Sequence, residues 1–500
     1  MSVLLALVVA VPLIGAVLPL VVGRRNRLSR LVTGGVLIVQ AALAVAVVAA
    51  VARRGPLSYV VGGLPSEVGI GLFADAVTSA FLVLVAGSAV AFFVVVRATG
   101  TRFGDSLWLL LVAGLSGVTV TADVFNLYVF LEISGLAAYA LVATGRGASA
   151  ALAAFRYLLV GTVGATLYLL GVGYLYIATG TLSMAGLNAA LSEIGYDSTL
   201  VIASFALIAV GLGVKIALFP LHTWKPAAYA TSPADVSALL ATLVSTIAGY
   251  ALVRLTFDVY TLGFLTDVPA ARVGLLVAGA VSVVAGGVLT LRQTDIRRLL
   301  AYSSVLQFGL IVVAIGLATP TAVTGALVLL LSHAIAKGGL FASVGILARD
   351  FDVKTVADYT GLVRDAPVFT VAASVVFASL VGLPPTAGFA GKWYVALGAI
   401  EAQSWTIAFL VVGSTLLSIL YVGRVVETMV FGTPSTDVFG RTGGEPTGRP
   451  PVSADGGQLP TQSLTRASLV LVAVGVAVVA LGLWSSDLAA WFQPVVEGWL

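Results

Sequence analysis

The sequence predicts an all-α, polytopic membrane protein of about fourteen transmembrane helices, built from inverted five-helix repeats and containing two broken helices. Three observations carry this prediction. Of 500 residues, 59% are hydrophobic and only 10% are charged, a composition suited to lipid-facing rather than water-facing surfaces. Apolar runs of about 20 residues, each able to cross ~30 Å of hydrocarbon, recur from end to end. Two of these runs, around Lys215 and Lys392, are interrupted by proline and glycine in corresponding places of two halves. Such a pairing points to a transporter whose ion path lies near the bilayer midplane.

The first run, 3–22, is too long and too poorly flanked for a cleaved signal peptide and reads as the first span. Further spans fall near 31–52, 72–96, 106–122, 124–143 and 155–178. The next, 200–219, has a broken continuation to 234 through Pro220 and Pro226. Proline removes backbone hydrogen bonds that lipid cannot replace, so a break here requires surrounding protein. Then come 235–257, 272–291, 299–318 and 321–347. The run 367–402 is broken at Pro384, Pro385, Gly388 and Gly391, and 405–431 and 467–485 follow. The organisation expected is N-terminal spans over 1–105, repeats over 106–257 and 258–431, a flexible loop over 432–466 and a terminal span and tail over 467–500. Thr433 to Gln462 is rich in Gly, Pro, Ser and Thr without apolar periodicity, hence the loop. No long amphipathic helix follows the last span.

Odd connectors carry Arg24, Arg25, Arg27 and Arg30, then Arg97 and Arg102, Arg146, Arg292, Arg297 and Arg298, Arg349, Lys354 and Arg364, and Arg441, Arg449 and Arg466. Even connectors hold little beyond Arg53, Arg54 and Arg272. The positive-inside rule therefore makes odd connectors cytoplasmic and puts both termini outside the plasma membrane.

Composition also excludes functions. With no cysteine, Fe–S clusters, thiolate zinc sites and disulfides are ruled out. The only two histidines, His222 and His333, lie in motifs that explain them without haem. No Walker or GxGxxG sequence follows a strand, and no basic cluster interleaves with aromatics, so nucleotide and nucleic-acid binding lack support. No cofactor and no metal site are expected. Energy must come from partner subunits or an ion gradient.

Charged residues inside the spans carry the functional reading, because a lysine at mid-depth costs roughly 2.5–3.5 kcal/mol on insertion scales. Glu132 lies about eight residues into its span, roughly 12 Å deep, and Lys215 is its natural partner. Lys215 lies ~22 Å into its helix if that helix starts near Leu200. His333 and Lys337, four apart, share one helix face across which a proton can pass. Lys392 follows the second break, where unwound carbonyls can stabilise its charge. His222 can bridge the halves of a path. Lys225 reads first as an interfacial anchor, with transport as the alternative. Asp75 and Asp123 precede helical runs and read as N-caps or interfacial residues ahead of ion ligands. Asp295, among arginines, reads as a local ion-pair partner, and Tyr302, Ser303, Ser304 and Gln307 as polar lining of a hydrated path.

Five ordered motifs sharpen this. DVFNLYVFLEISGLAAYAL with Glu132, GVKIALFPLHTW with Lys215 and His222, QTDIRRLLAYSSVLQFG, SHAIAKGGLF with His333 and Lys337, and GLPPTAGFAGKW with Lys392 together resemble the antiporter-like subunits shared by respiratory complex I and Mrp cation/proton antiporters. The resemblance covers about residues 70–430 and implies fourteen helices, an inverted repeat, two broken helices and a proton path through Glu132, Lys215, Lys337 and Lys392. Within the family the chain looks most like the D-type Mrp subunit. Two departures stand out: relatives commonly have Leu-Pro-Asp at Lys225, Pro226 and Ala227, and a lysine at Thr246. Lys225 or His222 is then the compensating group the sequence offers.

The function expected is a proton-translocating membrane subunit of a multi-subunit Na+/H+ antiporter of Mrp type. The alternative is a proton-pumping membrane subunit of an NADH:quinone oxidoreductase or a membrane-bound hydrogenase, and a non-conducting scaffold is a third reading. No chemistry of its own is expected of the chain. Its partners would be other membrane subunits, H+, Na+ and the lipid bilayer, without nucleic acid.

Overall fold

A computed structural model describes residues 2–22, 26–63, 69–96, 101–432 and 460–500. Arg24, Arg25 and Arg97, and residues 433–459 of the expected loop with Arg441 and Arg449, lie outside the described residues. Among those described, thirteen helices are long and apolar enough to cross a membrane, and a broken pair adds the fourteenth.

The N-terminal spans are α1 (Val3–Gly15) with its short continuation α2 (Leu18–Val21), α3 (Asn26–Arg54), α4 (Ala76–Val95) and α5 (Arg102–Val120). A two-stranded antiparallel sheet, β1 (Leu57–Val60) against β2 (Gly71–Ala74), shortens the third span at its start. Sequence periodicity does not separate so short an apolar strand from a helix end. α6 (Val124–Ala143) and α7 (Ala148–Thr179) follow, with α8 (Met184–Ile194) as an unexpected connecting helix.

α9 (Thr199–Ile216) carries Lys215 in its last turn and stops at Ala217, which is left-handed at φ 64°. The chain resumes as α10 (Trp224–Thr231). Carbonyls orphaned at this end are satisfied by other parts of the chain, as the bilayer interior demands. Leu218 N donates to Gly213 O at 2.9 Å and the Trp224 indole donates to Val214 O at 2.9 Å. α11 (Ala234–Arg254) continues through a π turn at Leu255–Tyr260 into α12 (Thr261–Asp267).

α13 (Pro269–Leu291), α14 (Ile296–Leu317) and the 32-residue α15 (Pro320–Phe351) come next. After the single-turn α16 (Leu362–Asp365), the second broken span comprises α17 (Pro367–Val381) and α18 (Ala387–Glu401), separated at Gly382, whose φ is 88°. α19 (Trp405–Phe431), α20 (Pro460–Leu483) and α21 (Ser485–Trp499) complete the chain. The 15-residue α21 makes the region after the last span helical.

α11, α14 and α15 are buried almost along their whole length, whereas α3, α7, α13, α19 and α20 present most of their apolar surface outward. In lipid no hydrophobic force draws helices together, so small residues and close backbone approach hold the centre. A Cβ added at Gly391 would lie 2.6 Å from Leu329 Cγ. The bare backbone there lets α18 press on α15 and seats the next residue, Lys392, in the interior.

Candidate ion path

The last turn of α9 brings Lys215 against the middle of α6. Its Nζ donates to Glu132 Oε1 at 2.9 Å and reaches Leu131 O at 3.4 Å. Lys215 is 5% exposed and Glu132 21%, so the pair is shielded on the lysine side and retains an opening on the carboxylate side. Gly135 makes room: a Cβ there would stand 3.2 Å from Lys215 Nζ. Ser245 on α11 donates to the Lys215 carbonyl at 3.0 Å, fixing the helix end on which the ammonium rides.

His222 lies in the break after α9, buried against Phe219 and edge-on to Tyr302 at 5.7 Å. His333 and Lys337 share the interior face of α15, both fully enclosed. Lys337 Nζ donates to Leu300 O at 2.7 Å and to the Ser303 hydroxyl, so one member of the polar set on α14 directly serves a buried lysine. Neither His333 nitrogen has a hydrogen-bond partner. Lys392 Nζ donates to Val381 O at 2.8 Å, the last carbonyl of α17, and to Thr415 Oγ1 at 3.4 Å. The break thus supplies the acceptor that an intact helix would have used itself.

Two expectations are corrected. Lys225 is no interfacial anchor: it is 1% exposed, with its ammonium over the rings of Phe308 at 4.5 Å and Tyr229 at 5.5 Å. α10 folds back into protein instead of carrying Lys225 to a surface. Asp295 caps α14 by accepting from Arg298 N at 2.9 Å, and the Arg297 guanidinium donates to Ala230, Ser232 and Gly345 carbonyls.

Asp123 caps α6 by accepting from Asn126 N at 2.7 Å. Asp75 caps α4 by accepting from Thr78 N at 2.8 Å, and its second oxygen pairs with Arg254. Arg254 also meets Asp258 at 2.6 Å, and the Trp499 indole donates to that carboxylate. This buried cluster was not anticipated from sequence; the four-residue spacing of Arg254 and Asp258 is its only local signal.

Among the described residues, Glu132 is the only carboxylate in ion-pair contact with a lysine of the row Lys215, Lys225, Lys337 and Lys392. At the arginine-rich end a polar cleft of about 680 Å³ opens, lined by Arg146, Asp235, Arg297 and Arg349 among others. Water in that cleft would reach the ends of α10 and α15.

Residues 121–418 match the family model described as NADH:quinone oxidoreductase/Mrp antiporter, transmembrane region. The chain belongs to this family. The matched region contains every candidate above except Asp75. Among family members, the N-type subunit of the NADH-quinone oxidoreductase of Desulforudis audaxviator is 41% identical over 405 residues, covering 79% of this chain and 80% of the relative. The D-type subunit of the Na+/H+ antiporter of Bacillus subtilis is 29% identical over 423 residues, covering 83% and 85%. A chain of the Mrp complex from a Dietzia species superposes with a TM-score of 0.88 at 27% identity, covering 100% of this chain and 97% of that one. A chain of respiratory complex I from Thermus thermophilus gives 0.75 at 25% identity, with both chains fully covered. Among the described residues, the likeness to these solved chains thus reaches beyond the 121–418 of the family model.

Proposed function

We propose that the chain is a proton-translocating membrane subunit of a multi-subunit Na+/H+ antiporter of Mrp type, seated in the plasma membrane with both termini outside. The observation that carries proton translocation is the row of buried lysines with one carboxylate, Glu132, held at 2.9 Å from the first. Charges without counterions repel strongly in a medium of low dielectric. A proton arriving at one amine therefore favours departure from its neighbour. Glu132 sets the charge of Lys215, His333 and Lys337 pass protons along one face of α15, and Lys392 delivers them at the second break, with His222 beside the first. The halves 106–257 and 258–431 act as repeats whose hydrated ends open alternately. The Mrp assembly is supported by the fit to the Mrp-complex chain over nearly all of both chains.

Na+-dependent collapse of a pH gradient in inverted vesicles, from cells expressing the full set of neighbouring subunits, tests this reading. Lys215→Ala and Glu132→Ala should each lower the rate about tenfold or more, equivalent to at least ~1.4 kcal/mol. Wild-type rates in both variants would overturn the assigned roles. The 41% identity to an N-type oxidoreductase subunit favours a second reading, a component of a redox-driven pump. Copurification with flavin or Fe–S subunits, and proton pumping driven by an electron donor without Na+, would select it.

A further inference from the structure

Of the four buried lysines, Lys225 alone has no polar partner and no step in the path from Lys215 through Lys337 to Lys392. It stands in the first turn of α10, one residue after Trp224, whose indole ties α10 to the turn of α9 that carries Lys215. Its ammonium has no hydrogen-bond partner and is enclosed by Phe308 and Tyr229. The Phe308 ring also meets His333, at 5.3 Å between centroids and 80° between planes. On α11, the fully buried Thr246 hydroxyl likewise lacks a partner.

A purely structural lysine does not fit these surroundings. Cation–π contacts with two rings return less than burying an ammonium without acceptors costs. A leucine would fill the same apolar space without that cost. His222, the other candidate for this place, packs against Phe219 and Tyr302 instead. We propose that Lys225 is a proton carrier, the link between the Glu132–Lys215 pair and the His333–Lys337 pair. In one turnover its ammonium releases a proton toward His333 through transient water and takes another from the Lys215 side, with Phe308 holding the charged form. This rests on the proton-path reading of Lys215 and Lys337.

The test uses the complete complex in inverted vesicles, with assembly checked by copurification of the partner subunits. Lys225→Leu should lower proton translocation about tenfold or more. Lys225→Arg keeps the charge and the ring contacts but cannot release a proton, so it should fail as well. Lys225→His should restore part of the rate with an optimum moved to lower pH, since imidazole titrates well below an amine. Full activity of Lys225→Leu alongside an inactive Lys215→Ala would overturn the Lys225 assignment and leave the path intact. Full rescue by Lys225→Arg would also overturn it, showing that a fixed charge suffices. If Lys225→Leu does not assemble, the Arg and His variants decide. Loss in neither Lys215→Ala nor Lys225→Leu would sink the underlying path itself.

Discussion

At the scale of single residues, the Glu132–Lys215 contact is the one place in the row where opposite charges meet. Removing one partner leaves the other charge shielded and uncompensated, which costs more than the net worth of the pair. Glu132→Ala is therefore expected to destabilise the protein by about 2 kcal/mol, discounted for the partial exposure of the carboxylate. The double variant Glu132→Ala with Lys215→Met should be closer to wild type than the sum of the singles. Thermal unfolding of the purified complex in a double-mutant cycle measures this, and additivity would show that the contact is not energetically coupled. The pairing was readable from sequence, since two opposite charges deep in apolar runs have few other ways to be accommodated. The Lys225 environment was not: proximity to Pro220 and Pro226 placed it beside a break, but only the return of α10 against α14 encloses it.

At the scale of elements, the two breaks are built from side chains donating to freed carbonyls. Trp224 does so at the first break and Lys392 at the second. Trp224→Phe would keep the ring that stacks on Tyr157 at 4.0 Å and lose only the donor to Val214 O. A buried acceptor left unmade costs about 1–3 kcal/mol, so a drop of that size is expected in the stability of the complex. Greater exposure of the α9–α10 junction to hydrogen exchange should accompany it. Unchanged exchange would mean that another donor closes the end. Sequence located both breaks because proline and glycine act locally. It missed β1–β2 and α8, short elements whose form depends on a neighbour: β2 on β1 across the gap, and α8 on its packing near the π turn.

At the scale of the whole molecule, Arg254 joins parts far apart in the chain. It pairs with Asp75 at the head of α4 and Asp258 in the π turn, and its guanidinium lies 5.4 Å from the Trp499 ring of α21. Arg254→Ala would leave two carboxylates facing each other with the cation removed. A loss of ~3 kcal/mol or more is expected, together with release of α21, detectable as proteolytic sensitivity after residue 484. Retained protection of α21 would show that Trp499 docks without the cluster. Asp75 lies about 180 positions from Arg254 and Trp499 about 240 from Asp258, which explains why the four-residue spacing of Arg254 and Asp258 did not by itself disclose the cluster.

Sequence by itself determined the membrane class, the number of spans, the two breaks and the residues whose charge is out of place in lipid. Each is a property of a short stretch weighed against hydrocarbon, where the cost of an unpaired polar group is large enough to be read one segment at a time. Tertiary structure decided which charges meet and which do not. It gave Lys215 its carboxylate, Lys337 its serine and carbonyl, Lys392 the open end of α17, and Lys225 only aromatic rings. Those outcomes depend on how α9, α10, α14 and α15 pack against one another. Side-chain packing between helices distant in sequence is fixed by close approach and shape, quantities that no single span contains.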